Sequence, residues 1–380
     1  MKNKNIAIYL HDYSRLGGVE RVTSNLSNLL TNNNIEVKAI LSLQQSNSVP
    51  KIKFNKDVDI FVFEETSTKT STFQAKITTY INSNKISHLI VQVQDLEEAY
   101  GLVNTTKTTN CKIIPVLHNS PFLYTKWYFP NKFSSIKSFL RALKMTFYWK
   151  PLNLSFFDKI IKETGRFVCV SHKAKNELKE ITKNNNVLAI HNPLHFSEKY
   201  IFKDSDKKNK ILYVGRLSQE KSPMQMVQLW ERLSKKHVDW SFTVLGDGEE
   251  LPKMKNYVKA HNIQNIELLG SVQNVESYMC ESKISILMSY YEGLPTSLLE
   301  ASFYNNALVG YNGDGGTSDI IEHNKNGFIH EIEDIESVEK SLDNLIKNES
   351  LLQGMMQASK KNLENFSDKV ILESWKKLLK

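Results

Sequence analysis

Two glutamates eight residues apart, Glu292 and Glu300, lie in the segment whose residue types are best suited to chemistry. An apolar strand is predicted at 283–288, and Pro295 suits the first turn of a helix, where its missing N–H costs nothing. The free amides and the dipole at the start of such a helix form a natural seat for phosphate. Glu292 would lie at the mouth of this site and Glu300 about one turn inside the helix. One carboxylate could then contact a reacting sugar and the other a ribose.

Thr296 and Ser297 follow the proline and could satisfy free amides at the same helix terminus. The competing interpretation of this segment is a solvated surface helix that carries two unrelated glutamates. Taken alone, the segment favours neither interpretation.

A second segment changes that balance because it places two cations beside a glycine turn. A buried strand is predicted at 210–214, followed by Gly215 and then by Arg216 and Lys221, five residues apart. Arginine offers a planar fork of donors and lysine a point charge, and this combination suits a pyrophosphate at a strand end. An amphipathic helix is predicted to begin at Pro223.

These and other short motifs occur in an order that resembles family 4 of the retaining, nucleotide-sugar-dependent glycosyltransferases, which have the two-domain GT-B architecture. Each motif is weak by itself, whereas the set is specific and covers most of the chain. The resemblance rests on the Glu292/Glu300 pair and on the segments 16–21, 215–217, 220–221, 245–248, 315–319 and 326–328.

The resemblance implies retaining transfer of a hexose or N-acetylhexosamine from a UDP-sugar to a saccharide or lipid-linked acceptor, in bacterial surface polysaccharide or glycoconjugate synthesis. Arg216 and Lys221 would neutralise the leaving pyrophosphate, and Glu292 would stabilise positive charge at the anomeric carbon. His118, which ends a predicted strand, would contact the donor sugar. The donor-binding residues implied are Gly17, Gly18, Gly215, Gly246, Leu294, Pro295, Thr296, Ser297 and Glu300.

Two rival interpretations belong to other functional classes. One is a non-catalytic GT-B-like partner of another transferase, which the presence of Glu292, Glu300, Arg216 and Lys221 disfavours. The other is a nucleotide-sugar epimerase with the same two-domain frame, which would need no acceptor. Because cationic side chains can replace a divalent ion, we expect no metal and no cofactor apart from the UDP-sugar donor.

Three of these motifs have plain structural alternatives. His118 could be a hydrogen-bonded structural histidine. The pair Gly17 and Gly18 is equally typical of a strand-to-helix turn, and it is not the Gly-x-Gly-x-x-Gly of a dinucleotide site, so NAD binding has little support. Asp319 stands where the resembling family often has glutamate, and it could instead cap a helix.

Composition favours a globular protein over a disordered or membrane-spanning one. The 380 residues are 41% hydrophobic and 24% charged, and this length suits two domains. The cysteines, Cys111, Cys169 and Cys280, have no metal-ligand spacing and are typical of buried apolar residues in a reducing compartment. No apolar run approaches the roughly 18 residues of a membrane span, so we expect a cytoplasmic protein.

Short apolar runs alternate with amphipathic helical stretches, which predicts an α/β fold of two doubly wound, Rossmann-like parallel sheets. The GT-B resemblance adds that the two domains face a central cleft. We expect an acceptor-binding domain at 1–195, a linker near 192–209, a nucleotide-sugar-binding domain at 196–365 and a C-terminal helix, 366–380, that crosses back. The predicted strands are 6–10, 37–43, 88–93, 112–117, 166–170, 187–190, 210–214, 241–245, 265–269, 283–288 and 306–311.

Charge is distributed unevenly along the chain. Residues 1–195 carry a net charge of +12 and residues 196–380 a net charge of −4. No acidic residue occurs between Ala99 and Phe157, and 122–157 interleaves six basic residues with twelve aromatic ones. This mixture suits contact with an anionic membrane surface, because rings lie at headgroup depth and cations meet lipid phosphates. We therefore expect peripheral contact with the inner face of the cell membrane. The alternatives are a core helix with a solvated basic face and, less favoured, a nucleic-acid surface.

Overall fold

The computed structural model describes residues 4–15, 17–47, 49, 52–126, 136–194 (with side chains from 139 onward) and 207–380. The chain divides into two compact units. Unit 1 is formed by Met1–His195 with Phe366–Lys380, and unit 2 by Phe196–Asn365. Each unit contains a parallel sheet and its connecting helices, so the predicted α/β class with two doubly wound sheets is confirmed. The roles assigned to the two domains stay predictions.

The strands of unit 1 form one parallel sheet in the described part of the chain. They are β1 (Ile6–Asp12), β2 (Val37–Gln44), β3 (Asp59–Val62), β4 (His88–Val93), β5 (Lys112–Leu117), β6 (Phe167–Cys169) and β7 (Val187–Ala189). Their order is β3-β2-β1-β4-β5-β6-β7. The order reverses its direction at β1, and right-handed crossovers then place the connecting helices on opposite faces of the sheet.

Three of the helices of unit 1 that precede the second unit begin at recognisable capping residues. Side-chain oxygens of Thr70, Asp95 and Ser171 accept hydrogen bonds from amides at the starts of three of them. A π turn, Met145–Trp149, joins two others into one continuous helix. The helices are α1 (Gly18–Asn32), α2 (Ser71–Ser83), α3 (Leu96–Thr106), α4 (Ile136–Lys144), α5 (Lys150–Thr164) and α6 (His172–Thr182).

Unit 2 repeats the doubly wound plan with a smaller sheet. Its described strands are β8 (Lys208–Val214), β9 (Ser241–Leu245), β10 (Ile266–Gly270), β11 (Ser282–Leu287), β12 (Ala307–Tyr311) and β13 (Gly327–His330), in the order β10-β9-β8-β11-β12-β13. Its helices are α7 (Pro223–Ser234), α8 (Leu251–Ala260), α9 (Val275–Glu281), α10 (Thr296–Phe303), α11 (Thr317–Ile320), α12 (Ile335–Lys347) and α13 (Glu349–Asn362).

The chain returns to unit 1 through α14 (Asp368–Leu378). Trp375 on this helix is buried. Arg166 donates a hydrogen bond of 3.0 Å to the Leu378 carbonyl oxygen, and Lys4 donates to the carbonyl oxygen of Leu379. Unit 1 is therefore assembled from two separate stretches of the sequence.

The eleven predicted strands are all present, and two edge strands, β3 and β13, were not predicted. Ile60 and Phe61 of β3 are about two-fifths exposed, at 41% and 39%, and β13 begins with Gly327 and ends with His330. Neither strand has the long apolar run of a buried parallel strand. Pro295 lies immediately before α10 and not within its first turn as predicted. Among the described residues, none of the helices has both the length and the apolar character needed to cross a bilayer.

Candidate functional site

Four loops meet at the carboxyl edge of the unit 2 sheet, the edge where ligands bind in open parallel sheets. They follow β8, β9, β11 and β12. Main-chain hydrogen bonds join them to one another. The hydrogen bonds are Gly215 N to Leu245 O (3.0 Å), Leu217 N to Asp247 O (2.9 Å), Tyr290 N to Glu220 O (2.8 Å) and Glu292 N to Asp314 O (2.9 Å).

The loops after β8 and β9 approach so closely that side chains are excluded at two glycines. A Cβ on Gly246 would lie 1.8 Å from the Gly215 carbonyl oxygen, and one on Gly248 would lie 2.4 Å from the Leu217 carbonyl oxygen. Gly246 also has a φ of 135°, which other residues rarely adopt. Gly246 therefore shapes the wall of this edge, and its contact with a donor stays a prediction.

Lys221 and Glu292 contact each other at this edge. Lys221 Nζ lies 2.5 Å from Glu292 Oε1, and only 17% and 14% of the two side chains are exposed. Ser289 Oγ donates a hydrogen bond of 2.8 Å to the same carboxylate oxygen. The two opposite charges can stay largely buried because each neutralises the other. Sequence analysis assigned the lysine to a pyrophosphate and the glutamate to a sugar, and it did not predict that they would pair.

Arg216 follows β8, and its guanidinium is exposed to solvent. Its carbonyl oxygen accepts a hydrogen bond of 2.8 Å from the hydroxyl of buried Tyr213. Gly215 provides the space for this ring, since a Cβ there would lie 2.8 Å from the same hydroxyl. The turn is thus held from the protein interior, while the charge of Arg216 remains accessible.

Helix α10 begins directly after Pro295, a residue whose side chain has no acceptor to cap the first amides. Thr296 and Ser297 open the helix and are half-buried, as is Glu300 one turn later. Leu294 is buried in the turn before the helix. The first amides of any helix point out from its end and carry a partial positive charge, so this terminus is suited to an anion.

Tyr290 and Glu333 belong to the same edge and were missed by sequence analysis. The Tyr290 hydroxyl donates a hydrogen bond of 2.8 Å to Glu333 Oε1. Burial, with help from this carboxylate, raises the pKa of Tyr290 to about 12, so the phenol stays protonated. Tyr290 is only two positions from Glu292, which was a usable signal. Glu333 stands in a polar loop that offered none.

His118 lies in unit 1, at the end of β5 and beside Gln92 of β4. His118 Nε2 is 2.5 Å from Gln92 Oε1, so Nε2 carries the proton and Nδ1 is the acceptor. Burial lowers the pKa of His118 to about 4, which keeps the ring neutral at physiological pH. This histidine can therefore hydrogen-bond a hydroxyl but cannot supply a positive charge.

Gly17 and Gly18 stand at the start of α1 in unit 1. A Cβ on Gly17 would lie 2.2 Å from Glu20 Oε2, whereas one on Gly18 would meet nothing within 4 Å. Glu20 is buried and accepts a hydrogen bond of 3.4 Å from Gln94. The local packing therefore explains Gly17, and it leaves open space at Gly18. Residue 16 of this motif lies outside the described residues.

A polar cluster at the carboxyl ends of β1 and β2 was also missed. His11 Nδ1 lies 2.7 Å from Glu98 Oε2, Gln44 Nε2 lies 2.8 Å from His11 Nε2, and the Tyr9 hydroxyl donates at 2.8 Å to Glu98 Oε1. The hydrogen bond to Glu98 raises the pKa of His11. The four residues come from three elements, so no local spacing in the sequence could have grouped them.

Comparison with known proteins gives a family match for part of the chain. Residues 197–362 match the model of the family described as glycosyl transferases group 1. This match covers nearly the whole of unit 2. The whole chain is 28% identical to an uncharacterized glycosyltransferase of Haemophilus influenzae, over 99% of this chain and 100% of that protein. It is 24% identical to the amylovoran biosynthesis glycosyltransferase AmsD of Erwinia amylovora, over 98% and 99% of the two chains.

A solved glycosyltransferase structure has the same fold. TarM of S. aureus, crystallised with fondaparinux, alpha-GlcNAc-glycerol and UDP, superposes with a TM-score of 0.77 and covers 99% of this chain and 100% of its own. The two sequences are 14% identical, so the likeness concerns the fold alone. The predicted GT-B class is confirmed.

The independence of this glycosyltransferase from metal stays a prediction. Two Asp-x-Asp triplets, a pattern often associated with divalent ions, occur in its sequence. Asp57 and Asp59 are exposed at the start of edge strand β3. The second triplet, 204–206, lies outside the described residues.

Proposed function

We propose that this glycosyltransferase moves a hexose or N-acetylhexosamine from a UDP-sugar to a saccharide or lipid-linked acceptor, with retention and without a metal ion, as in family 4. The observation that carries the proposal is the contact between Lys221 and Glu292 at the carboxyl edge of the unit 2 sheet. The reaction separates a negative diphosphate from a positively charged sugar ring. A cation and a carboxylate, held together in one largely buried site, match these two charges.

Lys221 and Arg216 are proposed to bind the diphosphate. An ammonium group has three donors, so Lys221 can keep its bond to Glu292 and still donate to a phosphate oxygen. The exposed Arg216 can turn its fork of donors toward the second phosphate. The amides of Thr296 and Ser297 would add the partial charge of the α10 terminus. Positive charge that is in place before the reaction stabilises the departing diphosphate without reorganisation.

Glu292 is proposed to act on the sugar and Glu300 on the ribose. The bonds from Lys221 and Ser289 both go to Glu292 Oε1, so Oε2 of the same carboxylate can face the sugar. A carboxylate beside the anomeric carbon would stabilise the positive charge that develops there as the bond to the diphosphate breaks. Glu300, one turn into α10, would accept hydrogen bonds from two ribose hydroxyls.

Unit 1 is proposed to bind the acceptor, and His118 to hold a sugar hydroxyl. The carboxyl ends of β1, β4 and β5 carry histidine, glutamine and carboxylate side chains, which are the groups that recognise hydroxyls. The neutral state of His118 suits a hydroxyl better than a phosphate. The amylovoran assignment of one relative supports a role in surface polysaccharide synthesis. A lipid-linked acceptor would lie at a membrane, and 122–157 is the proposed contact with its anionic surface.

A panel of UDP-sugars tests the proposal, with UDP release measured in the presence and absence of saccharide acceptors and of membrane lipid extract. We expect release that depends on the acceptor, withstands EDTA and yields a product with the anomeric configuration of the donor. Glu292→Gln should lower turnover about 10²-fold with UDP binding nearly intact. Glu336→Gln, on the exposed first turn of α12, should leave turnover unchanged. Isomerised sugar nucleotide without an acceptor would indicate an epimerase, and no turnover with any donor would indicate a non-catalytic partner.

A further inference from the structure

The continuous helix formed by α4, the π turn and α5 has two halves of opposite character. In its second half, Phe156, Phe157, Ile160 and Ile161 are buried in the core of unit 1. In its first half, large apolar side chains face solvent. This exposed patch consists of Phe139 (43% exposed), Leu140 (56%), Leu143 (37%), Phe147 (75%), Tyr148 (57%) and Trp149 (42%).

The exposed patch is denser than the scattered apolar exposure of an ordinary protein surface. Thirteen large apolar side chains are exposed in the described residues, and six of them fall within the eleven positions 139–149. Single exposed apolar residues are normal, whereas a contiguous group marks an interaction surface. The alternative of a core helix is therefore wrong for 139–149, since these rings do not enter the core.

The π turn contributes to the shape of the patch. Its hydrogen bonds join residues five positions apart instead of four. The side chains before the turn and those after it are therefore offset around the helix axis by about one residue position. Phe147, Tyr148 and Trp149 all lie in this turn, and all three are exposed. Single π turns inside α-helices occur frequently at functional sites.

The charged residues in the segment that carries the exposed patch all have one sign. Arg141, Lys144 and Lys150 are exposed between or beside its rings, and the sequence has no acidic residue from Ala99 to Phe157. Lys144 Nζ lies 5.5 Å from the centre of the Trp149 ring and 6.0 Å from that of Tyr148. The same face thus offers rings and cations together. The predicted contributions of Trp127, Tyr128, Phe129 and Lys132 lie outside the described residues, as does the side chain of Lys137.

We propose that the exposed patch docks on an anionic lipid bilayer, with Phe147, Tyr148 and Trp149 entering the interfacial layer and the basic side chains meeting lipid phosphates. Amphipathic rings settle at the depth of the headgroups, and basic residues add attraction to anionic lipid. A symmetric contact with a second copy would bring two copies of this basic, acid-free segment together, and like charges oppose such a dimer. The docking does not depend on the transfer chemistry proposed for unit 2.

Sedimentation with vesicles tests the docking. The protein should bind phosphatidylglycerol vesicles at low salt, and about tenfold or more weakly at high salt or on phosphatidylcholine. The triple variant Arg141→Glu, Lys144→Glu, Lys150→Glu should abolish binding. Its control, Lys253→Glu, Lys255→Glu, Lys259→Glu, makes the same change of charge on exposed positions of α8 and should bind like the wild type.

The rings require a test in which charge stays constant. The pair Phe147→Ser and Trp149→Ser should weaken binding about tenfold or more although every cation remains. Trp149 can also report insertion, because Trp230, Trp240 and Trp375 are buried. With residue 127 changed to phenylalanine in all proteins, brominated phosphatidylglycerol should quench the fluorescence of the wild type. Trp149→Phe should abolish the quenching and retain most of the binding.

Three outcomes would overturn the docking proposal. They are absence of binding to anionic vesicles at low salt, equal binding to neutral and anionic vesicles, and self-association in solution that the paired serine substitutions abolish. UDP release with a soluble acceptor should be the same in the triple glutamate variant and in the wild type. Vesicle binding and glycosyl transfer are therefore measured separately. A negative result for membrane docking would not affect the test of the transfer reaction, and the reverse also holds.

Discussion

The carboxyl edge of the sheet is stabilised by different interactions in the two units. In unit 2, main-chain hydrogen bonds join four loops, and glycines such as Gly246 occupy the closest approaches. In unit 1, side chains meet across strand ends, as His11 meets Glu98 and His118 meets Gln92. A main-chain frame tolerates change in the surrounding sequence, whereas side-chain clusters can be exchanged one residue at a time. The family model matches 197–362, which is the unit with the main-chain frame.

Replacing glycine by alanine in each unit should give the largest effect and tests this comparison directly. Gly246→Ala should abolish UDP binding and lower the free energy of unfolding by about 3 kcal/mol or more, because its Cβ would collide with the Gly215 carbonyl and its φ is strained. Gly18→Ala in unit 1, with open space beside it, should change that free energy by no more than about 0.5 kcal/mol. Urea unfolding and calorimetric UDP titration measure both. Equal tolerance at the two positions would break the comparison.

The cation of the buried pair should give the next largest effect. Lys221→Ala should lower turnover about 10²-fold or more and weaken UDP, because the diphosphate loses a charge and Glu292 keeps a largely buried one without its partner. Arg216→Ala should act in the same direction. Lys235→Ala, on an exposed lysine after α7, should have no effect. If UDP bound normally to both site variants, the diphosphate pocket would have to lie elsewhere.

Glu300 should separate nucleotide binding from sugar chemistry within unit 2. Glu300→Ala should weaken UDP about tenfold, since two ribose hydroxyls lose their acceptor. UDP affinity is measured by titration. In a parallel titration, the variant and the wild type should bind inorganic pyrophosphate, which has no ribose, with the same affinity. A variant that binds UDP like the wild type would remove Glu300 from the ribose site.

Two histidines in unit 1 give the smallest predicted effect at neutral pH. Burial lowers the pKa of both His118 and His88 to about 4. As the pH falls below about 6.5, the unfolded chain binds protons that the folded chain does not, so stability decreases, by at most about 1.4 kcal/mol per pH unit for each histidine, until about pH 4. His118→Gln and His88→Gln should each flatten this decrease in urea unfolding.

Activity distinguishes the two histidines. His88 lies at the amino end of β4 and His118 at the carboxyl end of β5, where the site is expected. The His118 variant should therefore lose turnover several-fold at pH 7, and the His88 variant should retain it. A loss of turnover in both, or in neither, would make His118 a structural histidine.

Sequence alone predicted the parts of this molecule whose signal is local. The first five residues of β1 are all apolar and buried, and β4 is buried along its whole length and mostly apolar. The residue types of the proposed donor site were also visible, because Glu292 and Lys221 each follow a predicted strand. Their pairing was not visible, since the two residues are 71 positions apart and only the sheet order brings them together.

The exposed patch shows a second limit of sequence. Its rings and cations were evident, but composition fits a covered core helix as well as a bare one. Whether Phe147 is exposed depends on what the rest of unit 1 leaves uncovered, and that is a property of the tertiary structure. Glu333 is a third case, because a glutamate in a polar loop carries no mark of its contact with Tyr290.

The division of unit 1 into two stretches has a consequence for biosynthesis. Phe366–Lys380 completes unit 1 but leaves the ribosome after the whole of unit 2. Unit 2 is continuous in sequence and can fold as it emerges, whereas the N-terminal part must wait for α14, which buries Trp375. The first unit to be translated is thus the last to be finished. A premature stop codon after residue 365 would spare unit 2 and leave unit 1 incomplete, a natural substrate for chaperones and proteases.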